Sequence, residues 1–296
     1  MPVPEPAETA FAPSLAGNVG YLLHRAFQHM QALHAESAEK PHPRELSLVA
    51  RLLATGPQPQ HELAHALSVN RSVMVHVLDE LERQGLVVRE RNPTDRRSHL
   101  VAATADGAAA LERAAPAMLA ADQRVTARLA PAKRERLYSL LGDLLGPALP
   151  EVVAPTSQTV TYRIARGHFL LASRANDALK PVELDVREFG LLSSVHDLAP
   201  CSQQEIARRL DVSGPVIVEL VDSLEARGLI VRERNPEDRR SYALRLSAPG
   251  EALLERARAS IAAVVAGIAH EGIGSAGMHE LAALLREMLG GAAAAA

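Results

Sequence analysis

The stretch GLVVRERNPTDRRS, residues 85–98, decides the fold, because it occurs again as GLIVRERNPEDRRS at residues 228–241. The two versions differ at only two of their fourteen positions and lie 143 residues apart in a chain of 296. In the first version Val87, Arg89 and Arg91 alternate with Val88 and Glu90, a period of two, before an Asn-Pro pair, and the second version has the same arrangement. This pattern predicts a strand that runs into a tight turn.

The repeat extends well beyond this hairpin. The segment QHELAHALSVNRSVMVHVLDELERQG (60–85) aligns with QQEIARRLDVSGPVIVELVDSLEARG (203–228), and TADGAAALERA (104–114) aligns with SAPGEALLERA (247–257). Similarity at one fixed offset over most of a chain indicates a duplicated domain, and two copies are too few for a solenoid. The predicted parts are copy 1 (residues 1–145), a proline-rich linker (146–158) and copy 2 (159–296).

Both copies carry the same order of predicted elements. Apolar residues at helical spacing predict a long first helix and a second helix, followed by two short helices around a tight turn. Asn70 and Ser213 are good N-cap residues for the second short helix, and Gly85 and Gly228 are placed to end it. The hairpin and two further helices complete each copy. A helix-turn-helix followed by a two-stranded hairpin predicts a winged helix-turn-helix.

Composition restricts the class of protein. Hydrophobic residues make up 47% of the chain, but aromatic residues only 3%, so the cores must consist mainly of Leu, Val and Ala. The single cysteine, Cys201, excludes an intramolecular disulfide and fits a reducing compartment. The N-terminus lacks signal-peptide features, and the longest uncharged apolar run, Ile261–Ala269, is too short to cross a bilayer. We expect a soluble, cytoplasmic protein without a cofactor.

The hairpin and the helix start that follows it resemble a motif of the MarR family of transcriptional regulators. The motif stands here as Asp95-Arg96-Arg97 with Thr104–Gly107, and again as Asp238-Arg239-Arg240 with Ser247–Gly250. Members of that family are dimers whose first and last helices interleave around a two-fold axis. The resemblance implies a mainly α chain with two winged helix-turn-helix domains, whose interleaved long terminal helices form an intramolecular pseudo-two-fold dimer. Such a chain would be a monomer that acts as a pseudo-dimer.

The predicted partner is a double-stranded DNA operator. Recognition helices enter the major groove with their N-terminal residues, and arginines at a wing tip enter a narrow minor groove. The candidate DNA-binding residues are Asn70, Arg71, Ser72, His76, Arg96, Arg97, Ser213, Arg239 and Arg240. In copy 2, Glu219 stands where copy 1 has His76, so the second recognition helix departs from the expected pattern.

The local charge leaves an alternative open. Residues 44–103 hold 8 Arg against 7 Asp and Glu, and residues 187–246 hold 9 against 10, so neither region is basic. Either DNA binding is modest and salt-sensitive, or one half has drifted toward another role. The alternative function is a ligand-binding or protein-interaction scaffold that has lost DNA binding. Arginine-rich hairpin tips can also be no more than solvated turns.

The family resemblance also implies a small-molecule effector that releases a repressor from DNA. The residues expected to border its pocket are His24, Gln28, Arg166 and His168. The other interpretation of these side chains is that they are solvated or lie at the edge of the core. Cys201, next to Pro200 at a predicted helix start, is a weak candidate for a stabilised thiolate.

A second motif points to a different class of protein. His61-Glu62-Leu63-Ala64-His65 matches the zinc-protease pattern, in which two histidines share a helix face. The predicted helix has only about seven residues, and its counterpart in copy 2, residues 204–208, lacks both histidines. We interpret the match as coincidental, and we expect neither a metal site nor an enzyme.

Overall fold

The structure is a computed structural model that describes residues 11–35, 43–66, 71–92, 99–146, 156–210, 212–234 and 242–290. These ranges hold twelve α-helices and five short strands, in the order that the sequence predicts for each copy. Within the same ranges, no helix is both long enough and apolar enough to span a membrane. The mainly α fold with two winged helix-turn-helix regions is therefore confirmed.

Copy 1 contains six helices and a three-stranded antiparallel sheet in the order β1-β3-β2. Its helices are α1 (Val19–Ala35), α2 (Pro43–Thr55), α3 (Gln60–Ala66), α4 (Arg71–Arg83), α5 (Ala105–Val125) and α6 (Pro131–Leu145). Its strands are β1 (Gln58–Pro59), β2 (Val87–Arg91) and β3 (His99–Ala103). The hairpin register pairs Val87 with Ala103 and Arg91 with His99. Strand β1 was not predicted, because two residues are too few to show an alternating pattern.

Copy 2 repeats these elements, and from its second helix onward they begin 143 residues after their counterparts in copy 1. Its helices are α7 (Val160–Leu179), α8 (Val186–Leu198), α9 (Gln203–Leu210), α10 (Gly214–Ala226), α11 (Ala248–Ile268) and α12 (Gly274–Met288). Its strands are β4 (Ile230–Arg234) and β5 (Tyr242–Leu246). In place of a strand like β1, Cys201 forms an isolated bridge to Leu244. A π-helical turn, Ala269–Ile273, separates α11 from α12.

The chain divides into two compact units, and each unit contains residues of both copies. One unit consists of Met1–Gln28 with Leu171–Ala296, and the other of His29–Leu170. In the first unit, Leu15 of copy 1 lies in one buried cluster with Ile206 and Leu224 of copy 2. The start of the first helix of each copy therefore belongs to a unit built mainly from the other copy. The predicted ranges 1–145 and 159–296 describe the sequence repeat, which is a different division of the chain.

The ends of the second short helix follow the sequence, with one exception. Gly85 and Gly228 take positive φ angles of 73° and 69° after α4 and α10, as expected of glycines that end a helix. Ser213 has the extended backbone of an N-cap residue, but its side chain accepts no capping hydrogen bond. The predicted side-chain cap is thus absent. Pro215, at the second position of α10, has no N–H to donate to it.

Candidate DNA-binding surface

The recognition helices α4 and α10 each bury one face and expose another. Met74, Leu78 and Leu81 of α4 pack into the core of their unit. The opposite side of α4 exposes Val75 and His76. At the matching positions of α10, Ile217, Val221 and Leu224 are buried, and Val218 and Glu219 are exposed. Helical periodicity thus leaves the same face of each recognition helix open to a ligand as large as DNA.

Only part of the predicted DNA-binding set can be located. His76 is exposed on α4, and Ser213 is exposed at the start of α10. Arg71 and Ser72 belong to the first turn of α4, but their side chains lie outside the described part. The remaining predicted residues lie outside the described residues altogether, namely Asn70, Arg96, Arg97, Arg239 and Arg240.

A set of contacts that we call the wing clamp joins the end of the recognition helix to the start of the next long helix. It comprises Gly85, Leu86, Thr104 and Gly107 in copy 1. The Thr104 hydroxyl accepts a hydrogen bond from the Gly107 amide at 3.0 Å, and it donates one to the Gly85 carbonyl at 2.7 Å. The Thr104 amide donates to the Leu86 carbonyl at 3.1 Å. Thr104, the N-cap residue of α5, therefore also fixes the hairpin against the end of α4.

The last residue of the Thr104–Gly107 and Ser247–Gly250 motifs must be glycine for a steric reason. A Cβ atom on Gly107 would lie 2.3 Å from the Leu86 carbonyl oxygen, and one on Gly250 would lie 2.1 Å from the Leu229 carbonyl oxygen. Only glycine allows α5 or α11 to approach the preceding backbone so closely. The clamp of copy 2 repeats that of copy 1 through Gly228, Leu229, Ser247 and Gly250.

Arg89 of β2 forms ion pairs with two acidic residues of α4. One guanidinium nitrogen pairs with Asp79 at 2.6 Å and another pairs with Glu82. The Arg89 amide also donates to the Glu82 carboxylate at 3.2 Å. Partial burial acts to lower the pKa of Arg89, but the two carboxylates outweigh it and the pKa is raised. We call these three residues the acid–arginine cluster.

Copy 2 contains the same cluster, formed by Arg232, Asp222 and Glu225. The hydrogen bonds and ion pairs with Asp222 and Glu225 raise the pKa of Arg232, although partial burial opposes them. The period-two pattern in the sequence of β2 and β4 did not predict a role for Arg89 or Arg232. The sequence nevertheless contains a repeated spacing, because each arginine follows its two acidic partners by 7 and 10 residues in both copies.

Among the predicted effector residues, Arg166 lies deepest. It is 6% exposed in the unit His29–Leu170, and burial lowers its pKa, with nearby Arg51 adding to the effect and Tyr162 opposing it. Tyr162, one turn earlier on α7, is equally buried, and its hydroxyl has no hydrogen-bond partner within the described residues. Burial also raises the pKa of Tyr162, which keeps its hydroxyl protonated. His168 is half-buried on the same helix.

The other unit holds a similar Tyr-x-x-x-Arg pair on α1. The Tyr21 hydroxyl donates to the Arg209 carbonyl at 2.6 Å, and the Arg25 guanidinium donates to the same carbonyl at 2.7 Å. His24 and Gln28, half-buried on α1, belong to this unit. The four predicted effector residues are thus divided between the two units.

The structure overturns the prediction of a stabilised Cys201 thiolate. Cys201 precedes α9 and is 2% exposed, and burial raises the pKa of its thiol to about 12. The backbone bridge to Leu244 holds the cysteine in the core rather than at a helix start.

The HELAH motif occupies the seven-residue helix α3, where His61 and Glu62 are exposed. The His65 side chain lies outside the described part. Among the side chains that are described, no three of His, Cys, Asp or Glu form a group that could hold a metal ion.

Comparison with known proteins decides the family. Sequence models of the MarR family match residues 42–99 and residues 183–241. A protein of Thauera aromatica described as a putative transcriptional regulatory protein for the hcr operon is 37% identical over 136 residues, 44% of this chain and 81% of that protein. The chain belongs to the MarR family. Each match runs from the second helix of a copy into the hairpin, so this MarR-family transcriptional regulator carries that region twice.

Solved structures of other proteins are similar to parts of this MarR-family chain. The transcriptional repressor CouR bound to a 23-mer DNA duplex is 34% identical, over 38% of this chain and 80% of that chain, with a TM-score of 0.36. CouR from Rhodococcus jostii RHA1 bound to p-coumaroyl-CoA is 30% identical, over 38% of this chain and 78% of that chain, also with a TM-score of 0.36.

Proposed function

We propose that this protein is a sequence-specific DNA-binding repressor that a small-molecule effector releases from its operator. Its two copies, residues 1–145 and 159–296, would act within one chain as a pseudo-two-fold dimer in the cytoplasm. One observation carries the proposal: the recognition helix, wing clamp and acid–arginine cluster occur twice, at one offset, with the same contacts. The start of each first helix belongs to the unit built mainly from the other copy, and this supports the pseudo-dimer.

In this proposal α4 and α10 enter successive major grooves while the hairpin tips reach the minor groove. Asn70, Arg71, Ser72 and His76 would contact bases and phosphates in one half-site, and Ser213 would contribute in the other. The tip arginines would recognise groove shape rather than base identity. They are Arg96, Arg97, Arg239 and Arg240.

A second candidate differs in the role of copy 2. Glu219 is exposed on α10 where copy 1 exposes His76, and a carboxylate there repels phosphates. Copy 2 would then bind DNA weakly and serve mainly to bind a ligand or to pair with copy 1. Unequal effects of matched substitutions in the two recognition helices would distinguish this candidate from two equal DNA-binding halves.

The proposed effector is an organic anion that binds at Arg166 in the unit His29–Leu170. Arg166 and Arg51 supply positive charge there, and the buried Tyr162 hydroxyl can donate a hydrogen bond to a carboxylate. In the other unit, the hydroxyl of the corresponding Tyr21 already donates to the Arg209 carbonyl, whereas the Tyr162 hydroxyl has no partner among the described residues. We therefore expect one effector molecule per chain. Isothermal titration of aromatic carboxylates against the wild type and Arg166→Gln tests this.

Gel-shift titration at two salt concentrations tests the DNA-binding function. A protein that neutralises several phosphates loses about 1,000-fold or more in affinity between roughly 50 and 200 mM salt, so binding should weaken steeply. Arg97→Ala and Arg240→Ala should each weaken binding without changing the preferred sequence. An absence of binding to any duplex at low salt would contradict the proposal.

A further inference from the structure

A matched pair of acidic residues lies near the C-terminal end of each recognition helix, where negative charge is doubly unfavourable; the additional Glu80 of α4 pairs with Arg83. Asp79 and Glu82 lie in the last two turns of α4, and Asp222 and Glu225 lie in the last two turns of α10. The C-terminal end of a helix already carries a partial negative charge. Duplex DNA carries one negative charge per about 1.7 Å of its axis. Without compensation, these carboxylates would repel the ligand that we propose for these helices.

In both copies, one arginine meets both acids. The Arg89 and Arg232 side chains are each only 24% exposed, while the aspartates that they contact are 57% exposed and the glutamates 38%. Two nitrogens of each guanidinium are used by the carboxylates. Each of these arginine side chains therefore contacts the recognition helix of its own copy, whereas the wing-tip arginines are predicted to contact DNA.

We propose that Arg89 and Arg232 are positioning residues of the DNA-binding surface, each of which offsets one of the two negative charges of its carboxylate pair so that the recognition helices can approach phosphates. The inference rests on the proposed function. The third residue of β2 and of β4 thus acts on the electrostatics of the neighbouring helix rather than through contact with DNA.

The alternative is a purely mechanical role, in which the ion pairs only hold the strand against the helix. The two roles differ in what restores binding. If neutralisation matters, lysine should replace arginine adequately, and removal of the acids should compensate for loss of the arginine. If the mechanical connection between strand and helix matters, lysine should not restore binding, because one ammonium group cannot contact both carboxylates as a guanidinium group does. Removal of the acids should not restore binding either, because the connection stays broken.

The experiment measures the affinity of the full chain for a selected duplex at about 50 and 200 mM salt, a range over which phosphate contacts weaken strongly. Arg89→Gln with Arg232→Gln should weaken binding about tenfold at low salt and less at high salt, since screening shortens the range of the exposed carboxylates. Arg89→Lys with Arg232→Lys should stay within about threefold of the wild type, because the charge is kept.

Two further variants complete the test. Asp79→Asn, Glu82→Gln, Asp222→Asn and Glu225→Gln together should restore the glutamine variant to at least wild-type affinity, because each cluster then has no net charge, whereas one arginine and two carboxylates leave the wild-type cluster with one negative charge. The same four changes with both arginines kept leave each cluster with one positive charge, so this variant should bind more tightly still, at least about tenfold more tightly than the wild type at low salt. The matched control is Arg113→Gln with Arg256→Gln, which removes the same charge from exposed, equivalent positions of α5 and α11. It should change the affinity less than twofold, because neither residue belongs to a recognition helix or to a wing strand.

Thermal unfolding of each variant shows whether it is folded at the assay temperature. The inference is overturned if the lysine variant binds as weakly as the glutamine variant and the four acid substitutions restore nothing. It is also overturned if the four substitutions in the wild-type background fail to tighten binding. A wild type that binds no duplex would overturn the proposed function as well, and the wild-type titration alone shows that result.

Discussion

Gly107 and Gly250 lie in the first turn of a long helix, at the point where a backbone carbonyl packs directly against that turn. The predicted helix-start motif contains a glycine three residues after its Thr or Ser, and the structure shows why no other residue fits. The Leu86 and Leu229 carbonyls take the space in which a Cβ would stand. Because the contact is with backbone, no side chain can move aside to relieve it.

Gly107→Ala should lower the free energy of unfolding by about 1–3 kcal/mol, as other overpacked sites do. The matched control is Gly267→Ala in α11, where a Cβ would meet nothing within 4 Å. That change should raise stability by up to about 1 kcal/mol, since alanine favours a helix more than glycine. Denaturant unfolding of both variants measures the difference, and equal effects of the two substitutions would contradict the steric account.

Cys201 should react slowly with thiol reagents in the folded protein. Burial raises the pKa of its thiol to about 12, so almost no thiolate exists at pH 8. Since the folded pKa lies above that of the unfolded chain, this group contributes stability that is present below pH about 9 and is lost as the pH rises toward 12. Labelling at pH 8 with and without denaturant tests this, and equal rates would contradict it.

The helix ends and the hairpin were largely predictable, because they depend on local residue chemistry. Gly85 and Gly228 ended their helices as expected, and Thr104 capped α5. The pairing of Arg89 with α4 escaped prediction, since it depends on how a strand folds back onto a helix. Likewise, the sequence could not show that the Ser213 side chain makes no capping hydrogen bond at the start of α10.

The start of α5 offers a test at the level of one helix. Thr104→Ala removes the cap of the Gly107 amide and the hydrogen bond to the Gly85 carbonyl. It should lower the free energy of unfolding by about 1–2 kcal/mol. Ser260→Ala, which deletes an exposed hydroxyl bonded to its own helix, should change stability by less than about 0.5 kcal/mol. Chemical unfolding compares them, and an unchanged Thr104→Ala midpoint would argue against the clamp.

Over the whole chain, the repeat predicted the number of winged helix-turn-helix regions and their order. It could not predict the compact units, because the start of α1 packs with residues of copy 2 although its sequence belongs to copy 1. Long-range packing of this kind leaves no periodic signal in a single sequence. The sequence also could not show that the Tyr21 hydroxyl is hydrogen-bonded while the Tyr162 hydroxyl has no partner among the described residues, since the two helices have the same Tyr-x-x-x-Arg spacing.

A chain that contains both halves of a pseudo-dimer should not need a second chain. Light scattering coupled to gel filtration should therefore give a mass close to 31.7 kDa over a wide range of concentrations. A stable dimer of the full chain would show that the copies pair between chains, and it would leave the DNA-binding proposal standing.

The most direct test of the central claim is selection of bound duplexes from a random pool by the wild-type protein at low salt. Copy 2 has Glu219 at the position where copy 1 has His76, while the hairpins are nearly identical. The selected operator should therefore be an imperfect palindrome with one strict half-site and one tolerant half-site, about one helical turn apart. A symmetric operator with equal sensitivity in both half-sites would contradict the asymmetry between the copies. Failure to enrich any sequence would contradict DNA recognition itself.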